Sequence, residues 1–512
     1  MLTRTANGDS RLSFWLPVRE FAVPPAMIET ATARRRAGDW AGACAAAGID
    51  VDLNLRSVAR TYGHDLAARV RADLRHLAPD LLRWHMPRIA PHGLLRPGLT
   101  IALARYDTQG RDGVGPVHLV VRTPPAWADG GQRISLAVWA APQAGPRDGP
   151  HDGSHARSPF EAGVRRHPHP RPSRRFRLDL HRHLWDARRT DELRVRSGAD
   201  LAPDDGRPEN PDPPGIALRG RGCAVDRWAA EAGIVLQAQA QAQAQARSPS
   251  QARGRMAGTV AVRLGARDRL VLDVVADGYG GDGVGPQGVR IAAAPLDGSV
   301  SALPVLPDAA TWLLPDLELI RTGSIEVDRL HPLVASALVP DHSPTASSRA
   351  PEHGPAGPSR TPGRAGQPRL VDCRGAQHRI GLVDGVLAPL DHDPAEIRRE
   401  ELLIALTGTP LPCLRAIDEA HRRPDCLTGV RERLIHGDTA GALDVVEGLL
   451  GADAVLRSGP LRDELEAAAL RRITYGLFRA GMTGPGPGSG RLLPGLDRPR
   501  WHRAHPRHTA AR

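Results

Sequence analysis

Asp179, His181 and His183 alternate in the run Asp-Leu-His-Arg-His. On an extended strand alternate residues share a face, and two imidazoles with a carboxylate form a donor set for zinc or iron. The spacing nominates these three as a metal site and, with it, a metal-dependent hydrolase. A plainer reading competes: Phe176, Leu178 and Leu180 would fill the other face, leaving the polar three as the wet side of a half-buried strand. Two further sets carry weaker signals. Cys413, His421, Cys426 and His436 are separated by 8, 5 and 10 positions, unlike the compact pairs of structural zinc sites, so buried thiols and surface imidazoles are expected there. Asp372-Cys373 with His378 across a tight turn sets a thiol near a base, without a third group or an oxyanion loop in view. Neither G-x-S-x-G nor H-E-x-x-H occurs.

Whole classes of chemistry are excluded by one absence. The 68 residues counted as Lys or Arg are all Arg. A P-loop and a protein kinase need a Lys amine on the phosphates, and pyridoxal-phosphate and Schiff-base enzymes need one as covalent partner. Arg stays protonated and replaces it in none of these roles. The tetrapeptide Asp418-Glu419-Ala420-His421 resembles the acidic motif of DEAH-box helicases, which would imply ATP and magnesium. With no Walker A lysine, and with helix-forming neighbours after Pro412, Asp418 and Glu419 are instead expected on one solvated helix face. Gly278, Gly280 and Gly283 form a literal G-x-G-x-x-G that also resembles the first motif of class I methyltransferases. That use needs a helix next, whereas Gly285-Pro286-Gln287-Gly288 and a further strand follow, so a hairpin loop is expected. No cofactor is expected.

The chain carries a net charge of +11, concentrated in two places. Arg157 to Arg189 holds ten Arg against Glu161, Asp179 and Asp186, and the tail beyond Gly484 holds six Arg against Asp497. Nucleic-acid binding through Arg157–Arg189 and the C-terminal tail would follow if that charge serves a function. An Ala, Gly, Pro and Arg-rich composition without Lys also arises from a GC-rich coding sequence. Five Cys with no C-x-x-C, no apolar leader and no run of ~20 apolar residues point to a cytoplasmic chain with reduced thiols and no membrane contact.

The elements that must position these residues fall into blocks. Residues 1–93 read as a helical region: Pro25 suits a first helical position, Asp39 and Asn54 suit N-caps, and Leu66, Val70, Leu74 and Leu77 form one stripe. Residues 94–340 read as a β-rich antiparallel block with period-two runs at 99–107, 117–123, 133–140, 175–184, 258–265, 269–277 and 288–295. Low-complexity insertions at 142–173, 197–215 and 237–255, the last including a Gln-Ala run, are too poor in apolar residues to pack. Residues 341–368 form a linker, and 483–512 a disordered basic tail. Residues 369–482 read as a three-stranded meander followed by helices, the first opened by Asp393-Pro394-Ala395-Glu396 as a capping box. The echo of Gly-Asp-x-Ala-Gly-Ala at 38–43 and 437–442 slightly resembles a tetratricopeptide turn, without that family's period.

The fold class expected is α+β: an N-terminal helical region, an antiparallel β-rich middle with disordered insertions, and a C-terminal hairpin-plus-helices domain. The expected role is non-enzymatic, an adaptor or scaffold binding a protein partner through helical surfaces. A non-specific nucleic-acid binder and a hydrolase centred on Asp179, His181 and His183 are the alternatives.

Overall fold

The caps named by the sequence hold. Asn54 Oδ1 accepts from the backbone N–H groups of Arg56 (2.9 Å) and Ser57 (3.1 Å), opening the helix Leu55–Tyr62. Asp39 accepts from Gly42 N–H at 2.8 Å and opens Trp40–Ala46. In the helix His64–His76 the stripe Leu66, Val70 and Leu74 is buried, with Leu77 just beyond. Truncating such a residue to Ala removes about 2–5 kcal/mol. The computed structural model describes residues 12–108, 115–141, 167, 169–201, 218–246, 258–265, 268–275, 288–294, 302–342, 368–408 and 410–482. The Gly278–Gly283 motif, most of the insertions and the basic tail lie outside them.

The fold is α+β, with helices at both ends and small, mainly antiparallel sheets. By its contacts the chain forms two units: residues 1–124, 132–364 and 428–445, and residues 125–131, 365–427 and 446–512.

In the first unit β1 (Ile49–Val51), β4 (Thr100–Tyr106), β5 (Val117–Arg122) and β6 (Ile134–Ala140) form a sheet in the order β1-β6-β5-β4. The short pair β2 (Arg88–Ile89) and β3 (Leu94–Leu95) stands apart from it. β1 comes from the N-terminal helical region and pairs parallel with β6. One core runs through both blocks, from Val18 to Leu338, with Trp84 and Trp185 fully enclosed, so residues 1–93 and the first three long strands of the middle block fold together. A second core, around Trp228, joins β7 (Gly258–Arg263), β8 (Arg269–Val275) and β9 (Gly288–Ala293) to the helix Val225–Ala246. β8 and β9 pair antiparallel, so a strand, not a helix, follows the glycine motif.

Two elements differ from expectation. Residues 178–180 and 182–184 form successive 3-10 turns, and only Arg177 makes an isolated bridge, to Ala102. The apolar-polar alternation there serves a chain wrapped over the sheet edge, with Leu178 and Leu184 packed inward. The Gln-Ala run, expected within an insertion, continues the helix to Ala246. Ala and Gln are good helix formers, and Trp228, Ala232 and Val235 anchor the preceding turns in the core.

The second unit holds β10 (Arg369–Cys373), β11 (Ala376–Val383) and β12 (Val386–Pro389) as an antiparallel meander. Both turns are two-residue loops with positive φ at each position: Arg374 (54°) with Gly375 (84°), and Asp384 (47°) with Gly385 (75°). Such type I′ turns match the twist of the paired strands. Helices Pro394–Thr407, Pro412–Arg422 and Pro460–Ala480 follow. By its contacts the stretch 428–445 groups with the first unit.

Candidate metal centre

The second unit converges four soft and borderline donors on one point. The turn Arg374-Gly375 pairs Cys373 with Ala376 and sets Val371 opposite His378, which brings the thiol and the imidazole to one end of the meander. His392 stands just before Asp393, the N-cap of the next helix, whose side chain accepts from Ala395 N–H at 2.9 Å. Cys413 follows Pro412 at the start of the helix after that. One ligand atom from each of Cys373, His378, His392 and Cys413 lies within 4.8 Å of the other three. His378 Nδ1 and His392 Nε2 are 2.8 Å apart, with ring centroids at 4.3 Å. Donors bound at 2.0–2.3 Å to one tetrahedral ion lie roughly 3.3–3.8 Å from each other, so a divalent ion fits after small side-chain shifts.

The surroundings suit a cation. Cys373 and Cys413 are fully enclosed among Ile380, Leu411 and Ile417. Burial pushes the Cys413 thiol up to about 12, and the adjoining Cys373 adds to the shift; a bound cation acts in the opposite sense and deprotonates its thiol ligands. His392 Nδ1 is 3.3 Å from Glu396 Oε2, which leaves Nε2 for the ion. A carboxylate behind a ligating imidazole fixes its tautomer and raises its basicity. The bond with His392, ahead of the charge of Arg374, holds Glu396 below the usual carboxylate range. Arg374 itself bridges Glu396 (2.5 Å) and Glu400. Asp391 accepts from Arg379 N–H at 2.7 Å and from its guanidinium at 2.6 Å, pinning the segment that carries His392.

The residues nominated from spacing are distributed differently. Asp179 is bound by Arg177 at 2.6 Å, His181 lies 3.2 Å from Glu231, and His183 is buried with its Nδ1 unpartnered. Their element is not a strand, so Asp179, His181 and His183 do not share a strand face, although the two imidazole centroids are 5.7 Å apart. Among the described residues the converging group of three or more such donors is the Cys373 set. Of the wider Cys/His series, Cys413 alone joins it. His421 is buried on the same helix, and His436 belongs to the first unit. Cys373 and His378, read from the sequence as a thiol beside a base, fall within this group together with two further donors. His392 escaped notice because its spacing, C-x4-H-x13-H-x20-C, matches no compact pattern. The available signal is positional: Cys373, His392 and Cys413 sit where an element begins or ends, and His378 lies two residues into β11. Asp418 lies on the helix Pro412–Arg422, paired with Arg422 and Arg457 at 2.8 Å each, as a solvated helix face requires.

No family profile matches the chain, and no curated protein or solved structure matches it. Among the described residues no helix is long and apolar enough to cross a membrane.

Proposed function

We propose that the chain is a non-enzymatic adaptor whose C-terminal unit is built around a structural divalent metal, with Zn2+ the best fit, and presents apolar side chains to a protein partner. The observation that carries this reading is the closed donor set of Cys373, His378, His392 and Cys413. Four protein donors complete a tetrahedral site and leave no position for water or substrate, the mark of a structural centre, whereas catalytic zinc keeps one open. Two thiolates with two imidazoles favour zinc over the hard cations.

Partner binding draws support from where apolar side chains are left in water. Of fourteen large exposed ones among the described residues, only Val195, Leu201 and Leu443 belong to the first unit; the other eleven belong to the smaller second unit. Leu402 (70 %), Leu406 (84 %) and Leu403 share the helix that Asp393 caps, next to the metal donor His392. A cluster of that kind marks an interaction surface. The nucleic-acid alternative has less behind it: Arg175, Arg177, Arg182, Arg188 and Arg189 are each paired with a carboxylate of their own unit.

Chelation separates a structural from a catalytic metal. Removing zinc should cost the meander β10–β12 its hydrogen-exchange protection and abolish partner capture together. Loss of the ion with protection unchanged would overturn the structural assignment.

A further inference from the structure

The first unit contains a cavity of about 230 Å3, far beyond the ~15 Å3 that one water needs. Phe14, Trp15, Met86, Phe176, Leu178 and Trp312 supply apolar wall, and Arg19, Arg88, Arg96, His85, His181 and His183 supply polar lining. An apolar pocket with a few convergent polar groups is the usual form of a small-molecule site.

The charge in this lining does not balance. Arg177 and Arg196 also reach the cavity, and each has a carboxylate: Asp179 at 2.6 Å and Glu231 at 2.5 Å. Asp308 is taken by Arg175 at 2.6 Å. Arg19 is clamped between the rings of Trp15 (4.8 Å) and Trp84 (4.3 Å) and bound to Asp316 at 2.8 Å. Arg88 and Arg96 have no ion-pair partner among the described residues. Arg88 donates only to the carbonyls of Gly93 (3.1 Å) and Arg83 (3.0 Å), and the Arg96 guanidinium lies 5.8 Å from the Phe176 ring centroid. Behind them Arg83 is fully buried and donates to the carbonyls of Ala22 (2.9 Å), Gln132 (2.6 Å) and His436 (3.0 Å). Burial lowers the pKa of Arg19, Arg83 and Arg88 alike, and the charges of Arg83 and Arg19 press further on Arg88. The three buried guanidiniums thus have one ion-paired carboxylate, Asp316.

Unpaired buried charge is among the most expensive features a fold can hold. Five nitrogens of the lining are also buried without a well-formed hydrogen bond: Nε of Arg19 and of Arg88, Nδ1 of His183, and Nε2 of His85 and of His181, the last two lying 4.0 Å from Asp316 and 3.2 Å from Glu231. Such atoms call for an additional partner. We propose that this cavity binds a small organic anion, a carboxylate or phosphate on an apolar body of aromatic-ring size, its acid group held by the uncompensated positive charge that Arg88 and Arg96 bring to the lining and its body against the aromatic walls.

Calorimetric titration of the full-length protein with phenyl phosphate, benzoate, benzyl alcohol and inorganic phosphate tests this. Saturable one-to-one binding of at least one aromatic anion is expected, with benzyl alcohol and inorganic phosphate at least tenfold weaker. Arg96→Gln, at a half-buried position, should weaken that binding by about tenfold or more. Ala309→Trp, at an exposed lining position, should block it with the melting temperature unchanged. Arg88→Met should raise the melting temperature of the ligand-free protein. Absence of saturable binding by either aromatic anion, equal binding of benzyl alcohol or inorganic phosphate, or unaltered binding in both lining variants would overturn the proposal.

Discussion

His392 turns its two ring nitrogens to opposite tasks: Nε2 lies 2.8 Å from His378 Nδ1, and Nδ1 lies 3.3 Å from Glu396 Oε2. The capping motif Asp393-Pro394-Ala395-Glu396 explains how. Asp393 caps the helix, while Glu396, which a capping box would turn back onto Asp393 N–H, faces His392 and Arg374 instead. Glu396→Gln should therefore weaken zinc affinity by about 10–100-fold with little effect on stability before the metal is removed. Competition against a chromogenic chelator reads the affinity directly.

Gly451 meets the turn of the second hairpin. Its φ is +94°, and a Cβ there would collide with the Gly385 carbonyl oxygen. The left-handed backbone costs a non-glycine residue about 1–2 kcal/mol, and the collision with backbone adds to it. Gly451→Ala should lower the denaturation midpoint of the second unit, with Gly476→Ala, in open space in the same unit, as the control.

Local features of this chain were legible because local physics decides them. Asn54, Asp39 and Asp393 announce helix starts, Asp384-Gly385 announces a hairpin, and the strands β4 to β12 follow from runs of β-branched and apolar residues. Tertiary context decided the rest. The alternation Phe176, Leu178, Leu180 is equally compatible with a strand and with tight turns laid over a sheet, and hydrogen bonding to β4 beyond Arg177 is absent. The Gln-Ala run has no face to bury, yet Trp228 and Val235 nucleate its helix from one end. The metal donors come from four separate stretches of chain, so their meeting depends on chain crossings that no spacing rule contains. Cys373 and His378, brought together by a two-residue turn, were the visible half.

Acid should unfold the first unit in two stages. Burial holds His85 down to about 4 and His436 down to about 3, against an ordinary value of 6.5. Histidines with depressed folded pKa give stability that is full above pH 6.5 and is lost as pH falls toward those values. Burial pushes Glu231 up, but hydrogen bonds from His181 and Arg196 prevail and hold it at about 2, below its unfolded 4.5. Its contribution is full above pH 4.5 and is lost as pH falls toward 2. Urea midpoints should decline from pH 7 to 5 and more steeply from 4.5 to 2.5. Glu231→Gln should flatten the lower stage and cost about 3–5 kcal/mol near neutrality, because Arg196 is left without its buried partner. A midpoint constant from pH 7 to 3 would contradict this account.

Leu402 and Leu406 stand in water on the helix Pro394–Thr407. Leu402→Ser with Leu406→Ser should leave zinc content intact and change stability by no more than about 0.5 kcal/mol per site. Capture of a protein partner should fall at least tenfold. Undiminished capture would move the docking surface elsewhere.

The metal content of the purified full-length protein, measured by mass spectrometry after dialysis against metal-free buffer, tests the central claim most directly. One zinc per chain is expected, reduced below a tenth of that in Cys373→Ser with Cys413→Ser and unchanged in Cys426→Ser, whose thiol lies outside the converging set. A metal-free protein that fails to take up zinc while its meander remains folded, or full zinc content in the double variant, would contradict the account.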